Sequence, residues 1–210
     1  MARTTGSIGT ETAKRVLDVS QKLFAAHGYA AVSMRQIAGE CGLQAGALYN
    51  HFPTKQAILR DLMVSHLEEL LSAFDAELFE HNSAYEALEH FVRFHIRYHV
   101  NKPDEIFIAY MELRNLEPDP HAEVMELRDK YESILRSILK QGKASSEFDL
   151  EDVSVTAMAM ISMMSGVNTW YRDGGRLNVG EVEEIYVKMI LAAVGFNPAE
   201  QKKPKLEVIA

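Results

Sequence analysis

Residues 33–55, SMRQIAGECGLQAGALYNHFPTK, predict two short helices joined by a tight turn. Ser33 and Gln36 have the spacing of a capping box, in which the two side chains bond backbone N–H groups at a helix start. Gly42 stands where that helix must end, because glycine adopts the left-handed conformation without strain. A second helix follows and ends before Pro53. Two short helices joined in this way can present the second one to a DNA major groove.

The side chains of this segment suit contacts with DNA. Small residues at the start of the second helix let its backbone approach base edges and phosphates. A phenol, an imidazole and an ammonium group follow, and these donors bind phosphate oxygens. The candidate DNA-binding residues are Ser33, Arg35, Gln44, Ala45, Gly46, Ala47, Tyr49, Asn50, His51 and Lys55. An ordinary helical hairpin with a solvated polar face is the alternative interpretation.

The stretch LFAAHGYAAVSMRQIAGECGLQAGALYNHFPTKQAIL resembles the N-terminal domain of TetR-family transcriptional regulators, a likeness that covers about residues 10–60. The resemblance implies an all-helical homodimer whose two motifs bind a palindromic operator and whose C-terminal domain binds an effector. Within the motif it places at DNA-contacting positions Arg35, Gln44, Tyr49, His51 and Lys55. The second motif helix departs by offering few side-chain donors, so base reading is expected to rest on Arg35, Gln44 and Asn50.

Helical periodicity continues beyond the motif, and no strand pattern competes with it. Helices are expected over about residues 55–80, 84–100, 101–115, 121 onward, 149–172 and 178–195, with a rigid loop at 117–120. Thr54 and Asp149 are expected to cap the helices that follow them, and Asn178 with Glu181 is expected to open the last helix. The predicted fold class is all-α: an N-terminal three-helix DNA-binding domain with the helix-turn-helix, plus a larger helical ligand-binding and dimerisation domain. The expected domain ranges are 1–54, 55–196 and a polar tail at 197–210.

Charge is unevenly divided along the 210 residues, whose net charge is −8. Residues 1–60 contain seven Lys/Arg and three Asp/Glu, a balance of +4, and the remainder has a balance of −12. A basic module joined to an acidic body fits a protein that turns one end toward nucleic acid.

The last two predicted helices are expected to form a dimer interface. The final helix has an apolar stripe formed by Val182, Ile185, Tyr186, Met189, Ile190 and Ala193. The preceding helix has small residues that permit close approach, namely Ala157, Ala159, Ser162 and Gly166. The family resemblance implies that these helices pair with those of a second copy, whereas core packing within one chain explains the same stripe.

Aromatic and methionine side chains of the larger domain are candidates for an effector pocket. The helix over residues 84–100 is apolar on two sides, as a helix is when it is central or lines a cavity. Methionines fill irregular space and tolerate varied ligands. The candidate ligand-binding residues are Phe94, Tyr98, Phe107, Tyr110, Met111, Arg114, Met160, Met163, Met164, Asn168, Trp170 and Arg172. Plain core packing explains the same residues equally well.

The segment MISMMSGVNTWYRDGGRLNVGEVEEIYVKMIL is similar to the C-terminal region of TetR-type regulators of fatty-acid and related acyl-CoA catabolism. Those regulators carry a pattern of Asn, Trp-Tyr-Arg and Gly-Arg, which falls here on Asn168, Trp170, Tyr171, Arg172, Gly175 and Arg176. The resemblance implies an acyl-CoA thioester as effector. Its acyl chain would lie among the methionines and aromatics, with Arg114 or Arg172 near its phosphates.

Two histidines and one cysteine are candidates for other chemistry. His95 and His99 are four residues apart on one helix, where both can reach one metal ion, although buried hydrogen-bonded histidines fit the same spacing. Cys41 is the single cysteine, which excludes an intramolecular disulfide and suits a reducing cytoplasm. No catalytic triad, paired carboxylates or phosphate-cradling glycine loop occurs, so no enzyme and no cofactor are predicted.

The N-terminus, MARTTGSIGTETAKR, lacks the apolar region of a signal peptide. The most apolar segment, at 153–167, is too short to span a bilayer, so a soluble cytoplasmic protein without membrane contact is expected. The sequence therefore predicts a ligand-responsive repressor released from a palindromic operator by a small apolar effector such as an acyl-CoA. The alternatives are a helical ligand carrier or enzyme with an incidental hairpin, and a constitutive DNA-binding protein without an effector.

Overall fold

The computed structural model describes residues 5–77 and 80–196, and over these residues the chain is helical and forms no strand. The all-α fold class predicted from the sequence is confirmed. No helix within these ranges combines the length and the apolar character needed to cross a membrane. The predicted polar tail, residues 197–210, lies outside the described residues.

The described chain divides into two compact units. The first comprises the residues up to Asp75 together with Lys102–Asp129, and the second comprises Ala76–Asn101 and the residues from Lys130 onward. The units are defined by contacts, so they do not test the functional boundary predicted after residue 54, which stays a prediction.

The first unit contains the N-terminal helices. Its helices are α1 (Thr5–His27), α2 (Met34–Glu40), α3 (Ala45–Tyr49), α4 (Lys55–Ala76), α6 (Pro103–Met111) and the beginning of α7 (Pro118–Ala144). α1 packs against α2 and α6, and α2 packs against α3. Its fully buried side chains include Val16, Phe24, Ile37, Leu48, Ile58 and Leu59.

The second unit is built around α5 (Ala84–Val100). The other helices of this unit are α8 (Val153–Ser165), α9 (Val167–Trp170), α10 (Val179–Ala193) and the remainder of α7. α5 packs against α8, α9 and α10, which explains why it is apolar on two sides. The core of this unit includes Leu88, Phe91, Ile96, Leu135, Leu139 and Ile190.

Two helix starts differ from those predicted. α7 begins at Pro118, so residues 118–120 of the predicted loop are helical. Proline is tolerated in a first helical turn, where its missing N–H has no intrahelical partner. α8 is capped by Asp152, which accepts a 2.8 Å hydrogen bond from the Val155 N–H. Asp149 was the predicted cap, but its own N–H donates to the Val194 carbonyl at 2.8 Å.

Two helix ends also differ. α4 ends at Ala76, earlier than the predicted residue 80. The helix expected to reach Arg172 is interrupted at Gly166, which caps the end of α8 and precedes the short α9. The last helix start was predicted correctly, since Asn178 and Glu181 form both bonds of a capping box at α10.

The apolar stripe predicted on α10 divides between two faces. Val182, Tyr186 and Ile190 are buried, whereas Ile185 and Met189 are 42% and 48% exposed. On α8 the exposed apolar side chains are Val155, at 60%, and Met158, at 50%. Of the small residues predicted to permit close approach on α8, Ala159 and Ser162 are exposed and Ala157 is buried. The second unit therefore presents an apolar surface outside its core.

Candidate nucleic-acid interface

The first motif helix, α2, is fixed at its start by Ser33 and at its side by buried residues. Ser33 Oγ accepts a 3.2 Å hydrogen bond from the Gln36 N–H, which is one of the two bonds of the predicted capping box. Ile37 and Ala38 are buried. Arg35 lies on the opposite, exposed side of the helix. α2 is therefore anchored with its polar residues outward, as the sequence predicted.

The turn between the motif helices has the hydrogen bonds of a Schellman motif. The Gly42 N–H donates to the Gly39 carbonyl at 3.0 Å, and the Leu43 N–H donates to the Ala38 carbonyl at 2.8 Å. Gly42 has a φ of +63°, which a side chain at this position would strain. This turn sets the direction in which α3 leaves α2.

The second motif helix, α3, is anchored by one side chain and exposed elsewhere. Leu48 is fully buried, and Phe52 just beyond the helix is also buried. The exposed residues of this segment are Gln44, Ala45, Gly46, Tyr49 and Asn50, while Ala47 and His51 are half-buried. Tyr49 is 51% exposed, so its hydroxyl group can reach a partner outside the protein. The structure thus places Gln44 and Asn50 on one solvent-exposed segment, while Arg35 lies on α2.

The start of α4 has a predicted cap and a lysine in an unpredicted position. Thr54 Oγ1 accepts a 3.0 Å hydrogen bond from the Ala57 N–H, which caps the helix. Lys55 Nζ donates to the carbonyl oxygens of Tyr29 and Val32, both at 2.7 Å, and lies 4.1 Å from the Tyr29 ring centroid. Burial lowers the pKa of Lys55, against the opposing effect of Glu112. Two of the three N–H donors of this ammonium group are therefore engaged inside the protein.

A polar junction that sequence reasoning missed joins the α1–α2 connection to the end of α6. The Tyr29 N–H donates to Oε1 of the buried Glu112 at 3.1 Å. Gln56 Nε2 donates to Tyr29 Oη at 2.9 Å and to the Asn115 carbonyl at 2.6 Å. Gln56 Oε1 accepts from the Glu117 N–H at 3.1 Å. Gly28 is a local sign of a turn at this point, but nothing in the sequence links it to residue 112.

The candidate effector residues of the first unit lie on α6 and just beyond it. Phe107 and Met111 are 38% and 52% exposed, and Arg114 is also exposed. The Tyr110 ring faces the guanidinium of Arg128, whose carbon lies 4.7 Å from the ring centroid. These four residues therefore occupy mixed surroundings rather than one buried cluster.

The candidate effector residues of the second unit include a buried and an exposed group. Phe94 is buried and its ring stacks on Tyr98, with centroids 5.5 Å apart. Met160 and Met164 are buried, whereas Met163 and Asn168 are half-buried.

The exposed group lines a groove of about 260 Å³. The lining residues are Trp170, Tyr171, Arg172, Gly175, Arg176 and Leu177. The structure thus brings Trp170 and Arg172 together, and adds Arg176, which the sequence pattern contained but which was not assigned to ligand binding. Trp170 is 48% exposed and stacks on the Tyr186 ring, with centroids 6.5 Å apart.

His95 and His99 are buried and stacked, with ring centroids 3.7 Å apart. Both ring nitrogens of His95 have protein partners: Nδ1 lies 3.1 Å from Tyr131 Oη and Nε2 lies 3.3 Å from Ser165 Oγ. His99 Nδ1 donates to the His95 carbonyl at 2.8 Å. This arrangement fits hydrogen-bonded core histidines. In the described ranges no three His, Cys, Asp or Glu side chains are grouped to hold a metal ion.

Cys41 lies in the core of the helix-turn-helix. The side chain is buried, and burial raises the pKa of its thiol. Because the thiolate is the reactive form, burial disfavours reaction of this cysteine, and its position in the core fits a packing role.

Two short helices joined by a tight turn, with Leu48 buried and the rest of the second helix exposed, are the features of helix-turn-helix DNA-binding proteins. Comparison with known families matches residues 16–62 to the bacterial regulatory proteins of the tetR family. Residues 81–194 match the tetracyclin repressor-like C-terminal domain. The chain belongs to the TetR family, and it is a DNA-binding transcriptional regulator and not an enzyme.

Individual relatives agree with this assignment. The transcriptional repressor KstR2 of Rhodococcus jostii RHA1 is 25% identical over 194 residues, covering 90% of this chain and 92% of KstR2. A tetR-family regulatory protein from Rhodococcus RHA1 superposes with a TM-score of 0.83 at 25% identity, covering 89% of this chain and 98% of that protein. AibR, solved with isovaleryl coenzyme A and operator DNA, shares the fold with a TM-score of 0.76 at 22% identity, covering 85% and 97%.

Proposed function

We propose that this chain is a homodimeric repressor that binds a palindromic operator and is released by an acyl-CoA. The exposed segment from Gln44 to Asn50, held by the single buried anchor Leu48, is the observation that carries the DNA-binding part. The groove containing Trp170 carries the effector part. KstR2 is a repressor and AibR was solved with an acyl-CoA and operator DNA, which supports the same reading for this chain.

The proposed DNA contacts divide by chemistry. Arg35, Gln44 and Asn50 are exposed and have donors that reach base edges in a major groove. The small residues Ala45, Gly46 and Ala47 let the α3 backbone come close to the duplex. Phosphate contacts are assigned to Ser33, Tyr49, His51 and Lys55, and for Lys55 this uses the third N–H of its ammonium group.

Dimerisation is proposed through the exposed apolar faces of α8 and α10. Val155 and Met158 on α8, and Ile185 and Met189 on α10, are all at least 42% exposed. Four large apolar side chains in this position favour contact with another protein surface. A second copy supplies it, because one short motif binds DNA too weakly for specificity and a palindrome mirrors a two-fold axis.

The effector is proposed to place its nucleotide end in the groove of the second unit. An exposed indole can stack on an adenine ring, and the guanidinium groups of Arg172 and Arg176 bind phosphates. The buried methionines of α8 and the aromatic rings of α5 suit a flexible acyl chain. An acyl-CoA has all three of these parts in one molecule.

Release is proposed to act through α6. This helix carries the effector candidates Phe107 and Tyr110, and the next residues lead to Glu112, which bonds the backbone of Tyr29. Arg60 of α4 also makes a two-pronged ion pair with Glu123 of α7. A shift of α6 therefore changes the support of the helix-turn-helix within the first unit, and with it the population competent to bind DNA.

The test is fluorescence anisotropy on the DNA upstream of the protein's own gene, with acyl-CoAs of increasing chain length as competitors. We expect saturable binding at low salt, and release by one class of acyl-CoA but not by free CoA or the matching free fatty acid. Binding that no acyl-CoA weakens would overturn the effector assignment and favour a constitutive DNA-binding protein. Absence of binding to any palindrome in a random-sequence selection would overturn the operator assignment.

A further inference from the structure

The segment between α4 and α5 brings two histidine rings together in the second unit. His90 Nδ1 lies 3.3 Å from His81 Nε2, and the ring centroids are 5.1 Å apart with the planes inclined at 40°. His81 is exposed, and the side chain of His90 is 11% exposed. The exposed ring of His81 therefore gives a solute access to the pair.

The opposite nitrogen of His90 fixes the tautomer of this ring. His90 Nε2 lies 2.9 Å from Glu77 Oε2, and Arg97 Nη2 donates to both oxygens of Glu77 at 2.9 and 3.0 Å. Arg97 and Glu77 therefore form an ion pair. A carboxylate only accepts hydrogen bonds, so Nε2 carries the hydrogen and a neutral His90 directs the Nδ1 lone pair toward His81.

The carboxylate of Glu77 contacts His90 as a second-layer carboxylate contacts the histidine ligand of a metal site. A histidine that binds a metal commonly donates its other ring N–H to a carboxylate, which orients the ring and raises its basicity. Glu77 occupies that position, and Arg97 in turn fixes Glu77. The orientation of His90 is therefore set before any metal arrives.

The distance between the two facing nitrogens fits a shared ion. Two nitrogens bound at about 2.0–2.1 Å to one tetrahedral Zn²⁺ lie about 3.3–3.4 Å apart. In the metal-free protein the two nitrogens share a hydrogen bond of 3.3 Å. A zinc ion can therefore replace the bridging hydrogen with little change in the separation of the two rings.

We propose that His81 and His90 form an exchangeable transition-metal site that takes Zn²⁺, with water at the remaining positions. Among the described residues, no group of three His, Cys, Asp or Glu side chains could hold a metal, so the two imidazoles are the protein ligands of this site. Its affinity is expected to be higher for Cu²⁺ than for Ni²⁺ or Zn²⁺. The site shares no residue with the proposed DNA or effector contacts. Bound metal ties the segment after α4 to α5 and stabilises the folded chain.

The test uses the tag-free full-length protein, stripped with EDTA and titrated with ZnCl₂ against a fluorescent zinc indicator at pH 7.5. We expect one strong site per chain, and His81→Gln or His90→Gln to weaken it at least tenfold. Glu77→Gln keeps both ligands and is expected to weaken binding by about 10- to 100-fold, as a positioning residue does. His27→Gln, which changes an exposed histidine of α1, is the matched control and leaves the affinity unchanged.

A spectroscopic measurement separates ligation from a structural effect of the variants. In the Cu²⁺-loaded protein, electron paramagnetic resonance is expected to show coupling to two imidazole nitrogens. One coupling is expected to remain in His81→Gln, which changes an exposed side chain and keeps the fold. Zinc affinity in His81→Gln equal to that of the parent protein, or an equal loss in His27→Gln, would overturn the proposal.

Discussion

The backbone N–H of Tyr29 donates a 3.1 Å hydrogen bond to the carboxylate of Glu112, across 83 positions of the sequence. Gly28 precedes this donor with a φ of +80°, and a Cβ built on it would lie 3.5 Å from the same carboxylate oxygen. The bond joins the entrance of the helix-turn-helix to the end of α6 within one compact unit. A displacement of Glu112 at the end of α6 therefore acts directly on the backbone of Tyr29 through this hydrogen bond.

Removal of the Glu112 side chain is expected to destabilise the first unit. Glu112→Ala leaves the N–H of Tyr29 without its acceptor in a buried setting, which costs about 1–3 kcal/mol of unfolding free energy. Urea unfolding monitored by circular dichroism measures the loss. Glu117→Ala is the matched control, because Glu117 contributes its backbone N–H to the junction and its side chain is exposed. Equal stability of the two variants would contradict the structural role of the Glu112 carboxylate.

Replacement of Lys55 separates its two proposed roles. Lys55→Ala removes two hydrogen bonds of 2.7 Å to backbone carbonyls, so a lower free energy of unfolding is expected. Loss of a phosphate contact is also expected to weaken binding on every DNA sequence and to reduce the slope of log K against log salt by about 0.9. Anisotropy titrations at four salt concentrations measure this slope, and an unchanged slope would contradict the phosphate contact.

Tyr49→Phe removes a neutral donor, so we expect weaker binding with the slope preserved.

Stability is expected to fall in mild acid because of His66. Burial lowers the pKa of this histidine to about 4, aided by Lys102, while the unfolded chain has a pKa of about 6.5. The unfolded state therefore binds the proton first, so the stabilisation is complete above about pH 6.5 and is lost as the pH falls toward 4. The loss between pH 7.5 and pH 5 is about 2 kcal/mol from this group.

The measurement is urea unfolding at both pH values for the parent protein and for His66→Gln. The variant is expected to show a pH dependence smaller by about 2 kcal/mol, since it lacks the group that titrates. His27→Gln changes an exposed histidine and is expected to retain the parent's pH dependence. An identical pH dependence in the parent and His66→Gln would disprove the assignment.

Charge on the exposed face of α10 is expected to dissociate the proposed dimer. Ile185→Glu places a carboxylate in the proposed interface, where burying an unpaired charge is unfavourable, and the protein should elute as a folded monomer. Light scattering coupled to size exclusion measures the mass. Met125→Glu introduces the same carboxylate at a 42% exposed methionine of α7 and should leave the dimer intact. A dimeric Ile185→Glu would place the interface elsewhere.

The groove around Trp170 is expected to determine the response to acyl-CoA. Arg176→Gln removes a guanidinium from the groove and should raise the acyl-CoA concentration needed for DNA release at least tenfold, without changing DNA affinity in the absence of effector. Anisotropy competition measures both values. Lys188→Gln removes an exposed cation of α10 that does not line the groove and serves as the control. The same response in Arg176→Gln and the parent would exclude phosphate binding by this side chain.

The features that were predicted correctly are helix caps and turns, which depend on interactions between residues close together in the sequence. The cap at Ser33, the left-handed Gly42 and the capping box at Asn178 depend on residues three to five positions apart. The start of α8 was predicted wrongly because Asp149 and Asp152 are equally good caps in isolation. The choice between them depends on the bond from the Asp149 N–H to Val194, a residue on a distant helix end.

The sequence by itself determined the helix-turn-helix and its exposed second helix, because a window of about twenty residues contains the caps, the turn and the one buried anchor. Only the tertiary structure decided that Lys55 donates to the Tyr29 carbonyl and that the Tyr29 N–H donates to Glu112. It also decided that Tyr186 of α10 is buried while Ile185 is exposed. Helical periodicity states which residues share a face, but not what covers that face. Contacts between residues far apart in the sequence depend on how the helices pack against one another, and no short sequence pattern specifies that packing.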